Sequence, residues 1–422
     1  MQDASLPYFT NDAIVLGLLL VILALIFVTS HSEHPFWKKF YRYVPALLLC
    51  YFVPALFNWP LDLISGETTA LYKPMASRYL LPASLVLLCL SIDIKGIVGL
   101  GWRAIVMFLA ATVGIVLGGP IALLLVTSVA PDILDTGTTE PLWRGLSTVA
   151  GSWIGGGANQ TAMKEVYEVS DQLFASMVVI DVVVANIWMG FLLYGAKISP
   201  RIDRILRADA SSISTLQNSV ADYQSSVARN PSVTDLMVIL AIGFGATALA
   251  HWGAGGLSGY FGERVDTLSQ YGLDSLASNF FWIIVIATTL GLLLSFTKLK
   301  SYEGAGASKI GSVFIYILVA TIGMKMNIRD VVDNLGAFAI GIVWMLVHVA
   351  ILLLVAKLIR APFFFVAVGS QANVGGAASA PIVASAFSPS LAPVGVLMAV
   401  LGYALGTYGA ILCAELMRLV SG

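Results

Sequence analysis

Charge is the scarcest feature of this sequence. Asp, Glu, Lys and Arg make up 11% of the 422 residues, against 58% hydrophobic. Soluble domains carry roughly a quarter charged residues, so a soluble chain with this balance would expose apolar surface that water does not tolerate. A formal net charge of -1 gives no electrostatic footing for a nucleic-acid partner. The three cysteines, Cys50, Cys89 and Cys413, all lie inside apolar runs, which argues against disulfides and metal centres. No basic segment or small-residue cleavage site precedes the first apolar run, so that run is expected to be a true span and not a removable leader. Phosphate loops ending in GK[ST] are missing, which argues against ATP drive, and there is no H-E-x-x-H. Asp181 lacks the paired aspartate of intramembrane aspartyl proteases. GLSG at 256–259 matches the G-x-S-G of intramembrane serine proteases, but it stands in a polar, Gly-rich stretch read as a loop. The hydrolase alternative therefore rests on Ser258 and an unspecified histidine. No ring of charges or long polar pore face suggests a channel.

What the sequence does have is apolar runs, many of them near the roughly 20 residues needed to cross a bilayer as a helix. Twelve membrane segments are expected, at 11–29, 42–60, 78–92, 104–128, 142–168, 173–194, 233–251, 277–296, 310–326, 335–356, 362–387 and 391–417. Segments five and eleven are broken by Gly-rich, amide-rich centres. Ordinary spans avoid such breaks, because irregular backbone in lipid leaves polar groups unsatisfied. The chain also repeats itself. LCLSIDIKGIVGLGWRAIVMFLA resembles TIGMKMNIRDVVDNLGAFAIGIVWM, which sets Asp93 opposite Asn327. GGGANQTAM resembles VGGAASAPI, and SMVVIDVVVAN resembles LMAVLGYALGT, which sets Asn186 opposite Thr407. Paired interrupted segments in two related halves point to a transporter with a midplane site. The distribution of Lys and Arg barely separates a topology with an external N-terminus and two re-entrant hairpins from one with twelve full spans. Parity favours the former, since five spans plus a hairpin per half give inverted repeats. Residues 205–230 are then expected inside and the acidic stretch 132–140 outside. In the polar stretch between the halves, Ile213, Leu216, Val220, Tyr223 and Val227 recur at helical spacing, as in a helix lying on the membrane surface.

The hairpin tips carry the strongest functional signal. A helix of about 10 residues reaches the midplane at 1.5 Å per residue, and Leu142 to Trp153 and Pro362 to Ala372 fit that length. The chain then turns through Gly155, Gly156 and Gly157, or through Asn373, Gly375 and Gly376, and return helices are expected from near Ala158 and Ala377. Their first N–H groups have no helical partner and present partial positive charge that suits an anion. Packing by small residues explains the glycines but not the carboxamides of Asn159, Gln160, Gln371 and Asn373 beside them. Asp181 is the acid deep within a span, and such a group is a functional candidate by default: a sodium ligand, a proton carrier, or an acid bonded to a neighbouring helix. Asp93 and Asn327 end their segments. His348 reads as a packed neutral residue, and Lys164, Glu165 and Glu168 as solvated pairs.

GSWIGGGANQTAMKE and GSQANVGGAASAP resemble the paired signatures of the membrane family labelled domain of unknown function 819, over nearly the whole chain. That family is distantly similar to sodium-coupled glutamate, 2-hydroxycarboxylate and bile-acid symporters. The resemblance implies inverted repeats, a scaffold that often dimerises and a mobile domain bearing crossed hairpins. The exact GGxG spacing of the hydroxycarboxylate carriers is missing, so citrate-like specificity is not carried over. The expected fold is an all-α integral membrane protein of two inverted repeats, each with five transmembrane helices plus a re-entrant hairpin or broken helix. Residues 1–197 form the N-terminal repeat (scaffold 1–64, transport core 78–197). Residues 198–232 form a cytoplasmic amphipathic linker, and 233–422 the C-terminal repeat (scaffold 233–296, core 310–420). The expected function is sodium-coupled symport of a small anionic organic solute by an elevator-like movement, with proton coupling through Asp181 as the alternative. Solute is expected at Gly156, Gly157, Ala158, Asn159, Gln160, Thr161, Gln371, Asn373, Gly375 and Gly376. Sodium is expected at Asp181, Asn186, Asn159, Asn373 and Thr407, with no other cofactor. The expected partners are the solute, the bilayer and a second copy in a homodimer, in a bacterial inner membrane.

Overall fold

Hydroxyl and amide side chains start several of the helices. Asn11 accepts from the N–H groups of Ala13 and Ile14 to open α1 (Asp12–Ser30). Ser170 caps α7 (Asp171–Lys197) through Leu173 N, and Ser232 with Asp235 forms a reciprocal box at the start of α8 (Val233–Gly262), each satisfying donors that the first turn leaves open. Between α1 and α7 lie α2 (Ala46–Asn58), α3 (Leu81–Leu90), α4 (Trp102–Val129), α5 (Leu142–Gly155) and α6 (Gly157–Val166). After α8 come α9 (Asn279–Ser295), α10 (Ala307–Gly323), α11 (Ala337–Ile359), α12 (Phe363–Val374), α13 (Gly376–Phe387) and α14 (Ala392–Val420). The structure, a computed structural model, describes residues 7–41, 44, 46–92, 94–131, 140–208, 230–270, 274–326, 337–388 and 391–421. Asp93, Asn327, residues 209–229 of the expected surface helix and residues 132–139 of the acidic stretch lie outside them. Every regular element among the described residues is helical. Six helices there are long and apolar enough to cross a membrane: α1, α4, α7, α8, α11 and the Val394–Val420 part of α14. α9 adds a seventh if it counts as one span with the turn Lys298–Ala305, from which it is bent by 95°.

The helices pack in two groups. In the first, α3 is central, with all ten of its residues buried by α8, α9 and α10. Glycines permit the close approach: a Cβ on Gly291 of α9 would lie 2.8 Å from Val86 Cα, and one on Gly311 of α10 3.2 Å from the Ser84 carbonyl. α1 packs on α2 and α10, and α2 on α10. In the other half α8 packs on α9 and α3, and α9 on α3. Each helix thus takes the place of the helix seven positions away. Segments three and nine, expected with the hairpins, are corrected to this group. α3 is apolar and fully enclosed, which hydropathy alone does not distinguish from a lipid-facing span. The second group holds α4 to α7 and α11 to α14. Its axis is the α4–α11 pair, where a Cβ on Gly118 would meet the Trp344 ring at 2.6 Å and one on Gly119 at 2.8 Å, and where Trp344 donates to the Ile115 carbonyl at 2.8 Å.

The GLSG tetrapeptide lies inside α8, which corrects its reading as a loop. Interior glycine costs only about 1 kcal/mol each relative to alanine, too little to end a 30-residue helix.

Candidate functional site

Segments five and eleven both fold back on themselves. A Cβ on Gly151 of α5 would lie 2.5 Å from the Asn159 carbonyl oxygen of α6, and at the far ends of these arms the rings of Trp143 and Tyr167 meet at 5.3 Å. The turn is made at Gly156, with φ 76° and ψ -174°, a region that side-chain-bearing residues avoid. In the second hairpin Phe364 at the start of α12 meets Phe387 at the end of α13, ring centroids 5.3 Å apart, and Gly376 takes φ 59° at the turn. The bases of the two hairpins sit at opposite ends of α7. Glu140, before α5, accepts from Ser170 N at 3.2 Å. Phe363 N, at the start of α12, donates to Asp203 beyond the other end at 2.7 Å. The 27 residues of α7 span about 40 Å at 1.5 Å per residue.

The two tips meet. Gly156, Gly157 and Ala158 of the first and Gly375, Gly376 and Ala377 of the second line one cavity of about 300 Å³. Its remaining wall comes from Leu88 of α3, Ser312, Ile315 and Tyr316 of α10, and Tyr403 of α14, so it lies where the two helical groups face each other. α6 and α13 both begin without a side-chain cap. Two helix starts without side-chain caps, each a positive helix end, therefore border one small space, an arrangement that suits an anionic group.

The family model described as a protein of unknown function, DUF819, matches residues 17–420. The chain belongs to this family. It is also similar to the uncharacterized membrane protein YjcL of Bacillus subtilis (strain 168), 25% identical over 349 residues that cover 78% of this chain and 80% of that one. With six candidate spans, this DUF819 protein is an integral membrane protein.

The expected tip carboxamides do not line the cavity of the DUF819 protein; they brace its walls. Asn159 is fully buried. It donates to Gly155 O at 3.1 Å and Tyr403 O at 3.3 Å and accepts from Thr407 Oγ1 at 2.6 Å. Thr407 in turn lies 3.1 Å from Thr288 Oγ1 of α9. Asn373 repeats the pattern, donating to Gly369 O at 3.0 Å and Phe108 O at 3.2 Å and accepting from Thr112 at 2.8 Å. Thr161 donates to Gly157 O at 2.8 Å. Gln371 straps the second turn by donating to Ser379 at 2.7 Å. Of the five expected sodium ligands, Asn159 and Thr407 are brought together. Asn373 lies in the other tip, and Asn186 donates to Val182 O of its own helix at 2.7 Å.

Asp181 packs on the flank of the first hairpin. Its Oδ2 accepts from Ser152 at 2.6 Å and from Gln160 Nε2 at 3.0 Å, and Gln160 accepts from Tyr51 of the other group at 3.4 Å. All these partners are neutral, and the carboxylate is 4% exposed. His348 is fully buried. Its Nδ1 faces the Ala111 carbonyl at 3.1 Å and must donate. Its Nε2 lies 2.8 Å from the Ser370 hydroxyl, which accepts from Trp188 at 2.8 Å, so both ring nitrogens are engaged.

Lys164 and Glu165, expected as solvated pairs, are instead buried, at 5% and 8% exposed. Glu165 accepts from the Tyr72 hydroxyl and lies 3.9 Å from both Lys73 and Arg78. Asp171 bridges Lys164 at 2.8 Å and Lys325 at 2.6 Å. Sequence reading missed Ser152, Tyr51, Thr112 and Thr288. Single hydroxyls in apolar spans leave no pattern, because such groups also satisfy themselves on their own helix. Ser258 accepts from Asn279 at 3.2 Å and donates toward Gly255 O at 3.4 Å, while His251 contacts the Arg78 carbonyl at 2.9 Å. The geometry therefore pairs no base with that serine.

Proposed function

We propose that this protein is a secondary active transporter that holds a small organic anion between its two hairpin tips and carries it by sliding one helical group against the other. The observation that carries the reading is the convergence of two glycine turns, 220 residues apart at Gly156 and Gly376, on one cavity at the seam between the groups. Hairpin bases at opposite ends of α7 support entry from opposite faces of the membrane. The exchange of packing partners between helices seven positions apart supports two inverted repeats of five spans and a hairpin. Tips placed in this way are exposed to one face or the other by a shift of the group that bears them, without unfolding either hairpin. The first hairpin's base lies on the exterior side in this reading, in the membrane of a bacterial cell.

Asp181 anchors the coupling cation. An ionised carboxylate in mid-membrane costs at least about 2.5–3.5 kcal/mol, and its bonded partners here bring no compensating charge. Sodium or a proton removes that cost, and the carboxylate's bonds to Ser152 and Gln160 make the first hairpin respond to its occupancy.

The test is thermal melting of purified protein with sodium or potassium, against a panel of organic anions. A ligand that binds the folded state raises the melting temperature by mass action. Sodium, not potassium, is expected to stabilise the wild type and to lose its effect in Asp181→Asn. An anion is expected to stabilise the wild type but not Gly157→Val. Gly157 lines the cavity, and a Cβ there meets nothing within 4 Å, so the substitution adds bulk at the site without a Cβ clash. Stabilisation that follows pH and ignores sodium transfers the coupling role to a proton. An anion that stabilises Gly157→Val as well as the wild type removes the site from the tips.

A further inference from the structure

The base of the first hairpin, some distance from the tips, opens into a larger space. This vestibule, about 980 Å³, is bordered by Arg144 at the start of α5, Arg418 at the end of α14, Arg78, His251, Asn279 and the exposed Glu168. The guanidinium carbons of Arg144 and Arg418 each lie 5.9 Å from the centroid of the same ring, that of Trp143. One aromatic ring therefore lies within cation–π reach of two guanidinium groups. Arg78 stacks on Phe280 at 4.2 Å across the same space. Two acids nearby are already engaged, Glu165 with Tyr72, Lys73 and Arg78, and Glu415 with Arg418 at 3.7 Å and Tyr167 at 3.0 Å, while Glu168 stands exposed at the rim. Arg144 stands apart. Among the described residues it makes no ion pair, and its Nε is buried without a hydrogen-bond acceptor. A buried donor on a charged group without an acceptor is costly, and a guanidinium fork matches a planar carboxylate or a phosphate.

We infer that this vestibule is a second anion site, in which Arg144 grips the carboxylate or phosphate of a small water-soluble solute, with Arg418 beside it on the Trp143 ring. Its role as an entrance to the tip cavity rests on the transport reading; the binding itself does not. Arg78 ties the two regions together, since it borders the vestibule and lies against Glu165 of α6. An anion that draws Arg78 away loosens a contact holding the first hairpin.

The experiment is equilibrium binding of two probes, succinate and inorganic phosphate, to the full chain in nanodiscs of neutral phosphatidylcholine. Saturable, salt-sensitive binding by at least one probe is expected. Arg144→Gln should weaken it about tenfold or more, the usual consequence of losing a hydrogen bond to a charged group. Arg144→Gln leaves no acid stranded, so folding is expected to survive; Arg144→Lys, which keeps the charge and loses the fork, should fall in between. The series is repeated in a Gly157→Val background, which removes the tip site: probe binding that persists there and still falls with Arg144→Gln belongs to the vestibule, so a failure of the tip assignment and a failure of this one are read separately. Absence of saturable binding by both probes, or equal affinity in Arg144→Gln and wild type, overturns the inference. Loss of probe binding when anionic phosphatidylglycerol replaces part of the lipid assigns the vestibule to a headgroup and also overturns it.

Discussion

Asp203 shows how one side chain outside the spans sets the start of a hairpin. It sits in the short helix Ser199–Leu206 and accepts from Phe363 N, an open donor of the first turn of α12. Burial raises its carboxyl above the ordinary value, and the Phe363 bond only partly offsets that. The sign follows: a carboxyl held high in the folded state prefers its proton there, so its contribution is greatest in acid and is lost as pH rises through the folded value. Asp203→Asn keeps an acceptor for Phe363 and has nothing to ionise. The melting temperature of the variant minus that of the wild type is therefore expected to grow from acid to neutral pH, measured in one detergent at constant ionic strength. A difference that stays flat or shrinks over that range shows that the carboxylate is stabilised where it sits. Asp181 was legible at the same scale, because an acid in MVVIDVVVANIW stands out against its surroundings. Its partner Ser152 was not, and Gln160 was singled out as a solute residue and not as a partner of Asp181, since a hydroxyl and an amide gain that meaning only once a helix brings them to the carboxylate.

Among the elements, the first hairpin is held at its tip by a crossing of glycines. A Cβ on Gly406 of α14 would lie 2.5 Å from both Gly155 Cα and the Asn159 amide nitrogen, and one on Gly402 2.6 Å from the Ile154 carbonyl. Gly406→Ala must either push the hairpin away or break the Asn159 bonds, and overpacking of that kind costs about 1–3 kcal/mol. Gly256→Ala on α8, where a Cβ meets nothing within 4 Å, is the control and should be neutral or slightly stabilising. A clear fall in melting temperature for the first variant alone is expected; equal behaviour of the two argues against the crossing. The hairpins themselves could be read from the chain: return helices expected near Ala158 and Ala377 begin at Gly157 and Gly376, because glycine accepts the positive φ that such a turn takes at Gly156 and Gly376. Membership of α3 and α10 in the first group could not be read. Every residue of α3 is buried, yet its composition is that of a lipid-facing span, and only packing against α8, α9 and α10 distinguishes the two. The carboxamides stand beside the two turns, but they are not among the residues that line the cavity. Side chains three and four residues along a helix share a face, so those next to a tip can point back into the hairpin and satisfy its backbone, as Asn159 and Asn373 do.

At the scale of the whole molecule the two groups are joined on the side of the first hairpin's base by partly buried charge. Asp171 of α7 holds Lys325, just beyond α10, at 2.6 Å, and Glu165 of α6 is held by Tyr72 and flanked by Arg78. The tip cavity borders Ser312 and Tyr316 of α10, a few turns from that end. Under the transport reading proposed above, a solute coming from the base side would pass this junction, and a movement that opens the tips to that side would have to separate Asp171 from Lys325. Removing one partner of a buried pair is costly when it strands the other, but Asp171 keeps Lys164 at 2.8 Å. Lys325→Met therefore weakens the junction without leaving a bare acid. If the loss is near 1.4 kcal/mol, the state open to the base side becomes roughly tenfold more populated. A cysteine replacing Gly157 faces the cavity and serves as the reporter, since the native cysteines, Cys50, Cys89 and Cys413, are buried. In sealed vesicles of each orientation, an impermeant maleimide should label this cysteine mainly from the face opposite the first hairpin's base. Adding Lys325→Met should raise the rate from the base side severalfold and leave the other rate nearly unchanged. Unchanged labelling from the base side would mean that the charge cluster is a fixed part of the fold and that the two groups do not part there.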